Sequence, residues 1–184
     1  VTFTATDASN NSSSCTVTVT VSDVTPPTAI TKDITVALIG NTVSITAADV
    51  DDNSTDNCQI VSRVVVPNTF TCANLGANTV TLTVTDQSGN TSSATAIVTV
   101  VDDTPPTALC KDYTVTLVNG AASITPNDVD NSSIDNCSII SREAVPNTFT
   151  CSNIGPNTVT LTVTDQSNNI SSCTSTDPSP WPSV

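Results

Sequence analysis

The sequence predicts an all-β protein built from tandem immunoglobulin-like antiparallel β-sandwiches. Apolar residues alternate with threonine, as in residues 80–84, which read VTLTV. A period of two is typical of an antiparallel strand with one buried face and one solvated face. The chain also repeats itself in register, because Pro26 recurs as Pro105 and 105 − 26 = 79. About seven short strands fit into a repeat of roughly 80 residues, as in an immunoglobulin-like domain.

The in-register repeat divides the chain into three parts. Residues 1–24 align with the C-terminal strands of a preceding partial repeat, which makes them a candidate donor or linker segment. Residues 25–103 form one complete repeat, which we call the first unit, and residues 104–184 form the second unit. Because repetition adds reach and valency to a chain, this organisation favours a stalk, fibre or adhesive array over an enzyme.

The strands of the first unit are predicted from its apolar alternation and its turn residues. Clusters of Asn, Asp, Gly and Pro separate the apolar runs, and these residue types favour turns. No segment has a helical periodicity, so no helix is predicted. The predicted strands lie near residues 30–38, 42–47, 59–66, 69–73, 80–85 and 94–101.

The second unit departs from the first after Cys173. Residues 94–101 of the first unit read ATAIVTVV, whereas the equivalent residues 173–180 read CTSTDPSP. Because proline cannot donate a ladder hydrogen bond, we expect the last strand of the second unit to be missing. Trp181 follows in the same Pro-rich tail, where we expect it to be a packing or tail residue.

The net charge of −13 limits the partners that the chain can bind. Four basic residues stand against 17 acidic ones, of which only Glu143 is not Asp. Nucleic acid and a bare anionic membrane surface are excluded as partners, because binding to either requires clusters of Lys or Arg. No apolar run is long enough to span a bilayer, so direct membrane insertion is not expected.

The cysteine and histidine contents bear on compartment and catalysis. Seven cysteines in an acidic, Thr-rich chain predict an oxidising environment, and hence a secreted, extracellular or cell-surface protein. With no His and a single Glu, the usual pairs of nucleophile and general base cannot be assembled. We therefore expect that the chain is not an enzyme.

Three motifs resemble hyalin-type (HYR-like) repeats. They are residues 26–29 (PPTA), residues 56–58 (DNC) and residues 78–90 (NTVTLTVTDQSGN). The chain is most similar to the versions of this repeat in long, tandem, secreted bacterial surface proteins, including gliding-motility adhesins. The resemblance covers nearly the whole chain except residues 177–184. It implies an extracellular structural or adhesive array, and the expected role is that of a cell-surface stalk or fibre segment.

Two other functions remain open at this point. The first is a self-assembling filament subunit, in which residues 14–22 of one copy add a strand to the next copy. The second is an accessory module of a secreted polysaccharide-acting enzyme. The partners expected from the resemblance are other copies of the chain or neighbouring repeats, with surface polysaccharide or protein ligands as further candidates.

The cysteines are assigned to pairs by comparing the two units. Two cysteine positions occur in both units, whereas two further cysteines occur in the second unit alone. Cysteines that are kept together or lost together indicate a bonded pair, because an extracellular chain avoids free thiols. The predicted pairs are Cys58–Cys72, Cys137–Cys151 and Cys110–Cys173. By loop closure, the short links contribute roughly 3 kcal/mol and the long link about 4 kcal/mol.

Cys15 has no predicted partner within the chain. It aligns with Cys173, so its partner is expected in the preceding repeat. An unpaired thiol and a bond to another chain are the two alternatives for Cys15. Zinc is a poor alternative for these cysteines, because the Cys-x2-Cys spacing and histidine are both missing.

Two equivalent loops and the connection between the units are rich in Asp. Residues 49–57 and 128–136 supply hard oxygen atoms at the density that calcium prefers. A further pair of acids, residues 102–103, precedes the second unit, and Asp23 holds the equivalent position one repeat earlier. A calcium ion bound there would stiffen the connection. The candidate calcium ligands are Asp49, Asp51, Asp56, Asp128, Asp130, Asp135, Asp102 and Asp103.

The alternative is that Asp and Asn in these loops only form turns and cap backbone amides. Asp86 and Asp165 each lie in a short Asp-Gln-Ser hairpin. For these two residues the turn interpretation is preferred.

Overall fold

The structure, a computed structural model, describes residues 1–176. Residues 177–184, including Trp181 and the prolines of the tail, lie outside the described residues, and so do the expectations placed on them. Within the described chain, nearly all regular structure is β-strand. This confirms the all-β class predicted from the alternating sequence.

The N-terminal segment forms a hairpin of strands β1 (Thr2–Thr6) and β2 (Ser12–Thr16). The two strands pair in the same register as the equivalent residues of the first unit, which also form a hairpin. Every residue of the two strands is exposed. The segment therefore has the local structure of a repeat end without a core beneath it.

The first unit contains six strands and two short helical turns. The strands are β3 (Ile34–Ala37), β4 (Thr42–Ser44), β5 (Ile60–Val66), β6 (Thr69–Thr71), β7 (Gly76–Asp86) and β8 (Thr91–Val101). The turns are α1 (Ala47–Val50) and a 3-10 turn at Cys72–Asn74.

The second unit repeats these elements up to the end of the described chain, except that residues 113–116, equivalent to β3, do not form a strand. They are β9 (Ala121–Ser123), α2 (Pro126–Val129), β10 (Ile139–Val145), β11 (Thr148–Thr150), a 3-10 turn at Cys151–Asn153, β12 (Thr158–Asp165) and β13 (Ile170–Thr176). The expectation of a missing last strand is wrong as far as Thr176, because β13 pairs with β12 along its whole length.

Each unit consists of two sheets. In the first unit β3, β8, β7 and β5 form one sheet in that order, and β4 pairs with β6 in the other. In the second unit β10, β12 and β13 form one sheet, and β9 pairs with β11. All these pairs are antiparallel except β3 with β8, which run parallel. Alternation fixes which face of a strand is buried but not its direction, so this pair could not be foreseen.

The core of each unit lies between its two sheets. Val80, Leu82 and Val84 of β7 are at most 1% exposed, and Leu161 and Val163 of β12 are completely buried. Their threonine neighbours point away from the core, as the period of two predicts. Full burial of such a side chain contributes about 1.5–3 kcal/mol to stability.

The two α-helical turns were not predicted, because four residues are too few for a helical periodicity. Each begins after a threonine, Thr46 or Thr125, and buries one valine, Val50 or Val129. Each turn ends within the first two residues of an Asp-rich loop. Two of the candidate calcium ligands, Asp49 and Asp128, belong to these turns.

One disulfide connects the two units, and this corrects two predicted pairs. Cys72 is bonded to Cys137, with a Cα–Cα distance of 5.5 Å, while Cys58 and Cys151 are free thiols. The predicted Cys58–Cys72 and Cys137–Cys151 pairs are therefore wrong in this structure. The length of β5 explains why Cys58 and Cys72 do not meet. Cys58 precedes β5, whose seven residues extend about 20 Å, and Cys72 follows β6, which is only three residues long.

The other disulfide lies within the second unit. Cys110 is bonded to Cys173, with a Cα–Cα distance of 5.8 Å, which is the pair expected from the comparison of the units. Both cysteines pack against the core of the second unit. Cys15 is exposed and unpaired in the N-terminal hairpin.

Candidate metal centres at the unit junctions

The structure gathers six aspartates into two equivalent clusters. Within each cluster, every residue offers a carboxylate oxygen, and these three oxygens lie within 4.8 Å of one another. The N-terminal cluster consists of Asp23, Asp56 and Asp86, and the central cluster of Asp102, Asp135 and Asp165. Each member of the second set is 79 residues after its counterpart.

Each cluster joins a unit to the connection that precedes it. Asp102 follows the last strand of the first unit, whereas Asp135 and Asp165 belong to the second unit. Asp135 lies in the loop before β10, and Asp165 ends β12. In the same way, Asp23 lies in the connection before the first unit.

Asp165 has two roles. Its Oδ1 accepts hydrogen bonds from the backbone N–H groups of Ser167 and Asn169, both at 2.8 Å, which confirms that it organises the hairpin turn. It is also fully buried and lies in the central cluster. Asp86 makes the same turn contacts with Ser88 and Asn90. The turn interpretation was thus correct but incomplete.

Asp102 is held in place by the second unit. Its Oδ1 accepts from the backbone N–H of Thr104 at 3.1 Å and from Nδ2 of Asn136 at 3.0 Å. Its backbone carbonyl accepts from Nδ2 of Asn169 at 2.9 Å. Asp102 is only 3% exposed. These contacts fix the connection against the unit that follows it.

Several oxygen atoms in or beside the clusters are buried without a hydrogen-bond donor. Within the described chain, they are Asp23 Oδ2, Asp56 Oδ1, Asp102 Oδ2, Asp135 Oδ1 and Asn136 Oδ1. A buried polar atom without a partner is costly, and a buried charge more so. Carboxylates this close also repel by on the order of 3 kcal/mol per pair at an effective dielectric constant of about 20. A cation would remove both costs.

The donor set fits calcium. Calcium takes six to eight oxygen ligands at about 2.4 Å, so oxygens that share one ion lie at most about 4.8 Å apart. The clusters offer carboxylate oxygens, with Asn136 Oδ1 as a further oxygen beside the central one. They contain neither sulfur nor imidazole, the ligands that zinc prefers.

Asp49 and Asp128 cap helical turns and lie outside both clusters. Asp49 Oδ2 accepts from the backbone N–H of Thr46 at 2.6 Å, and Asp128 Oδ2 accepts from that of Thr125 at 2.7 Å. These backbone hydrogen bonds, assisted by the threonine hydroxyls, lower the pKa of both carboxyl groups. Both carboxylates act as caps in this structure, and their role as calcium ligands stays a prediction.

Asp51 and Asp130 are engaged in ion pairs. Arg63 Nε lies 2.8 Å from Asp51 Oδ2, and Arg142 Nε lies 2.9 Å from Asp130 Oδ2. Burial raises the pKa of each carboxyl group, but hydrogen bonds from a nearby serine and the arginine charge outweigh it, so both pKa values are lowered. These two residues also lie outside the clusters.

Of the eight candidate ligands, Asp56, Asp102 and Asp135 lie in the clusters, and Asp103 is exposed outside them. The sequence interpretation noted Asp23 as the junction equivalent of Asp102 but missed Asp86 and Asp165 as cluster members. The 79-residue offset shows that Asp86 and Asp165 are equivalent to each other, but no spacing in the sequence indicates that they lie beside the junction acids.

The N-terminal cluster also affects a neighbouring thiol. A hydrogen bond from the backbone N–H of Thr25, followed by those from Asn57 and Cys58, lowers the pKa of Asp23. The hydrogen bond to Asp23, together with burial and the nearby carboxylates, raises the pKa of the Cys58 thiol. The free cysteine beside this cluster therefore has a strengthened preference for the neutral thiol form.

Direct contacts between the units lie beside the central cluster. Asn136 Nδ2 donates to the backbone carbonyl of Gly40 at 2.8 Å, and the next residue, Cys137, is bonded to Cys72. Asn136 therefore contacts both the first unit and Asp102. The hydrogen bond, the disulfide and the acidic cluster form one continuous junction.

The chain is similar in sequence to hyalin. It is 34% identical to hyalin of Strongylocentrotus purpuratus over 191 residues, a match that covers 96% of this chain and 16% of that protein. It is 33% identical to hyalin of Lytechinus variegatus over 184 residues, covering 92% of this chain and 34% of that protein. The chain thus spans about a third or less of each relative. No protein-family model matches it.

Solved structures of protocadherin and titin domains match the chain with low TM-scores. Extracellular cadherin domains 1–4 of protocadherin gamma B7 match with a TM-score of 0.37 and 11% identity, covering 83% of this chain and 50% of that one. Three immunoglobulin domains of titin match with a TM-score of 0.30 and 11% identity, covering 82% and 63% respectively.

The fold establishes the structural class, and the similarity to hyalin bears on location. Among the described residues, no helix combines the length and apolar character needed to cross a membrane. Each unit packs two β-sheets around one core, as an immunoglobulin-like sandwich does, and the relatives by sequence are hyalins. The chain is therefore an extracellular or cell-surface protein that resembles hyalin and consists of immunoglobulin-like repeats.

Proposed function

We propose that the chain is a segment of an extracellular adhesive array whose junctions are stiffened by calcium. The observation that carries this proposal is the convergence of buried, unpartnered carboxylate oxygens from Asp102 and Asp135 at the junction. Asp102 belongs to the connection and Asp135 to the next unit. An ion bound by both would hold the second unit in one orientation relative to the connection.

The junction is already restrained without an ion. The Cys72–Cys137 disulfide and the hydrogen bond from Asn136 to Gly40 link the two units directly. These contacts would keep the two units from separating but would still allow one unit to rotate relative to the other. Calcium bound by Asp102 would oppose that rotation, because the ion would fix the connection at a third point. The result is a stiff rod, which suits a stalk or fibre.

The expected affinity is modest. Calcium sites of extracellular modules have dissociation constants of about 10⁻⁴ to 10⁻³ M, which matches the calcium available outside cells. Each cluster carries three carboxylates at its centre, and water molecules would complete the coordination. Magnesium should bind less well, because it requires a tighter octahedral geometry and gives up water reluctantly.

Calcium titration of the chelator-treated chain tests this function. Isothermal titration calorimetry should show two calcium ions per chain, one for each cluster, and weaker binding of magnesium. Small-angle scattering should show a longer, less flexible particle with calcium than with chelator. Absence of calcium binding at millimolar concentration would overturn the proposal.

Adhesion itself would rest on many weak contacts. Repetition of one unit gives each binding surface several copies, so the whole array can bind tightly although each contact is weak. Candidate ligands are surface polysaccharide, surface proteins or other copies of the array. A kinship with bacterial surface arrays is part of this proposal, beside the similarity to hyalin. We also propose that the chain has no catalytic role.

A self-assembling filament is a second candidate, favoured by the N-terminal segment. Val17, Val19 and Val21 are 56%, 62% and 91% exposed, whereas the equivalent residues of the first unit, Ala96, Val98 and Val100, are at most 3% exposed. A strand with this apolar face is suited to insertion into the core of a second copy of the chain.

The second unit offers a place for such a strand. A cavity of about 160 Å³ is lined by Leu117, Phe149 and Val159, on the side where β3 and β8 pair in the first unit. The residues equivalent to the end of β8 are 177–180, outside the described residues. Deletion of residues 1–22 should abolish filament formation, as judged by electron microscopy. Unchanged filaments would exclude strand addition.

A further inference from the structure

The disulfide between the units is built from two positions that recur along the chain. Cys72 lies in the first unit and Cys137 in the second. The position of Cys72 recurs in the second unit as Cys151, because 72 + 79 = 151. The position of Cys137 occurs in the first unit as Cys58, because 137 − 79 = 58. Cys151 and Cys58 are both exposed free thiols.

Cys151 has the same surroundings as its bonded counterpart. It begins a 3-10 turn after β11, as Cys72 does after β6. Its Sγ lies 3.9 Å from the carbonyl oxygen of Gly120, and Cys72 Sγ lies 4.0 Å from that of the equivalent residue, Asn41. The free thiol is therefore already in the position that forms a bond between units.

Cys58 likewise matches Cys137. The backbone N–H of Cys58 donates to Asp56 Oδ2 at 2.9 Å, and that of Cys137 donates to the equivalent Asp135 Oδ2 at 3.0 Å. In both cases the sulfur lies 3.6 Å from Nδ2 of the preceding asparagine. The same local structure thus presents each sulfur, whether bonded or free.

We infer that Cys151 forms the next bond of a series, with the thiol at the Cys137 position of a further copy of this unit. Cys58 would form the preceding bond, with a thiol at the Cys72 position. The surface that receives the further unit also retains its hydrogen-bond acceptor. Gly40, which accepts from Asn136, corresponds to Asn119, and both have positive φ, 65° and 56°. The carbonyl of Asn119 is therefore expected to accept from the asparagine of the next unit.

Bond formation requires an oxidant, for which we name a low-molecular-weight disulfide such as oxidised glutathione. The Cys151 thiolate attacks one sulfur of this disulfide and releases one thiolate. The partner thiolate then attacks the Cys151 sulfur of the mixed disulfide and releases the second. Two protein thiols are oxidised to one disulfide, two equivalents of the small thiol are formed, and their two protons come from the protein thiols.

The consequence for the array is a covalent link at every junction in addition to the main chain. Such a link would keep successive units in contact even when calcium is withdrawn. The inference does not depend on calcium, so loss of ion binding and loss of the disulfide series can be distinguished.

The first test lengthens the chain by one unit in register. A copy of residues 95–173 inserted after Cys173 adds 79 residues and four cysteines. If the series continues, Cys151 bonds the copied Cys137, the copied Cys110 and Cys173 bond each other, and three free thiols remain, as in the parent chain. If it does not, five remain, which are the three parent thiols and the copies of Cys137 and Cys151. Alkylation under denaturing conditions and peptide mapping give the count and the pairs.

A matched variant shows directly whether Cys151 is bonded in the lengthened chain. Cys151→Ser in the lengthened chain should raise the number of free thiols by one, because it releases the copied Cys137. If Cys151 is unbonded, the same substitution lowers the number by one. A count of five in the lengthened chain, or a fall in the variant, would overturn the inference.

The second test asks whether the further unit can come from a separate copy. A chain with Cys15→Ser and Cys58→Ser retains the free thiol of Cys151, and a chain with Cys15→Ser and Cys151→Ser retains that of Cys58. Mixed in glutathione buffer, they should form mainly the Cys151–Cys58 heterodimer, whereas random pairing gives roughly half heterodimer. A random mixture would restrict the bond to successive units of one chain.

Discussion

Cys72 of the first unit is bonded to Cys137 of the second, only two residues after Asp135 of the central cluster. The residue between them, Asn136, donates to both Gly40 and Asp102. Three consecutive residues therefore supply a cluster carboxylate, a hydrogen bond between the units and a disulfide. Because they are adjacent in the chain, a shift of one must move the others, so ion binding and contact between the units are coupled.

Removing the linker carboxylate of the central cluster should weaken calcium binding there. Asp102→Asn keeps the size of the side chain but removes one charged ligand, and we expect the affinity of one of two sites to fall by about tenfold or more. Calorimetry measures this loss. Asp103→Asn is the matched control, because it removes the neighbouring exposed carboxylate. Equal effects of the two substitutions would show that only net charge matters.

Asp128 should contribute to folding stability and not to calcium binding. Asp128→Ala removes the acceptor for the backbone N–H of Thr125, and loss of such a capping contact costs about 1 kcal/mol. Urea unfolding in chelator measures that cost, and calcium calorimetry of the same variant should be unchanged. Asp49→Ala should behave alike in the first unit. A lost calcium site in either variant would restore these residues as ligands.

The two disulfides should contribute differently to stability. Cys110→Ser with Cys173→Ser opens a loop within the second unit and should cost about 4 kcal/mol in its free energy of unfolding. Cys72→Ser with Cys137→Ser should leave each core folded and instead allow the units to reorient in chelator. Thermal unfolding and small-angle scattering separate the two effects. Global unfolding of the second pair of substitutions would contradict this division.

Acid should weaken the ion pair between Asp130 and Arg142. The pKa of Asp130 is lowered from 3.8 in the folded protein. The charged Asp130 therefore stabilises the folded state fully above pH 3.8. This stabilisation is lost as the pH falls below 3.8 and through the lowered pKa that Asp130 has in the folded protein. Asp130→Asn should therefore reduce the loss of unfolding free energy on acidification, as measured by urea titration across this range. Asp103→Asn is the charge-matched control, and an identical pH dependence in Asp130→Asn and the parent would refute the prediction.

The strands of the fold were largely predictable because their signal is local. The alternation that buries Val80, Leu82 and Val84 can be read directly from the chain. The helical turn beginning at Ala47 escaped prediction, since four residues do not establish a period. The parallel pairing of β3 with β8 escaped it as well, because a strand pattern carries no information on direction.

The candidate site was half predictable for a related reason. Local density of Asp identified Asp56, Asp102 and Asp135 but also selected residues that cap turns or pair with arginine. Asp165 was assigned to a turn, and only the fold shows that its carboxylate also faces the other two.

The sequence by itself determined the all-β class, the register of the repeat and the acidic character of the junctions, since each depends on residue type and spacing along one chain. The tertiary structure alone decided which cysteines meet and which carboxylates share a centre. Cys58 and Cys72 are close in sequence but separated by the length of β5, whereas Cys72 and Cys137 are 65 residues apart and in contact. The distance between two residues in space depends on how the strands pack and how they are connected. It cannot be read from the spacing of the residues in the sequence.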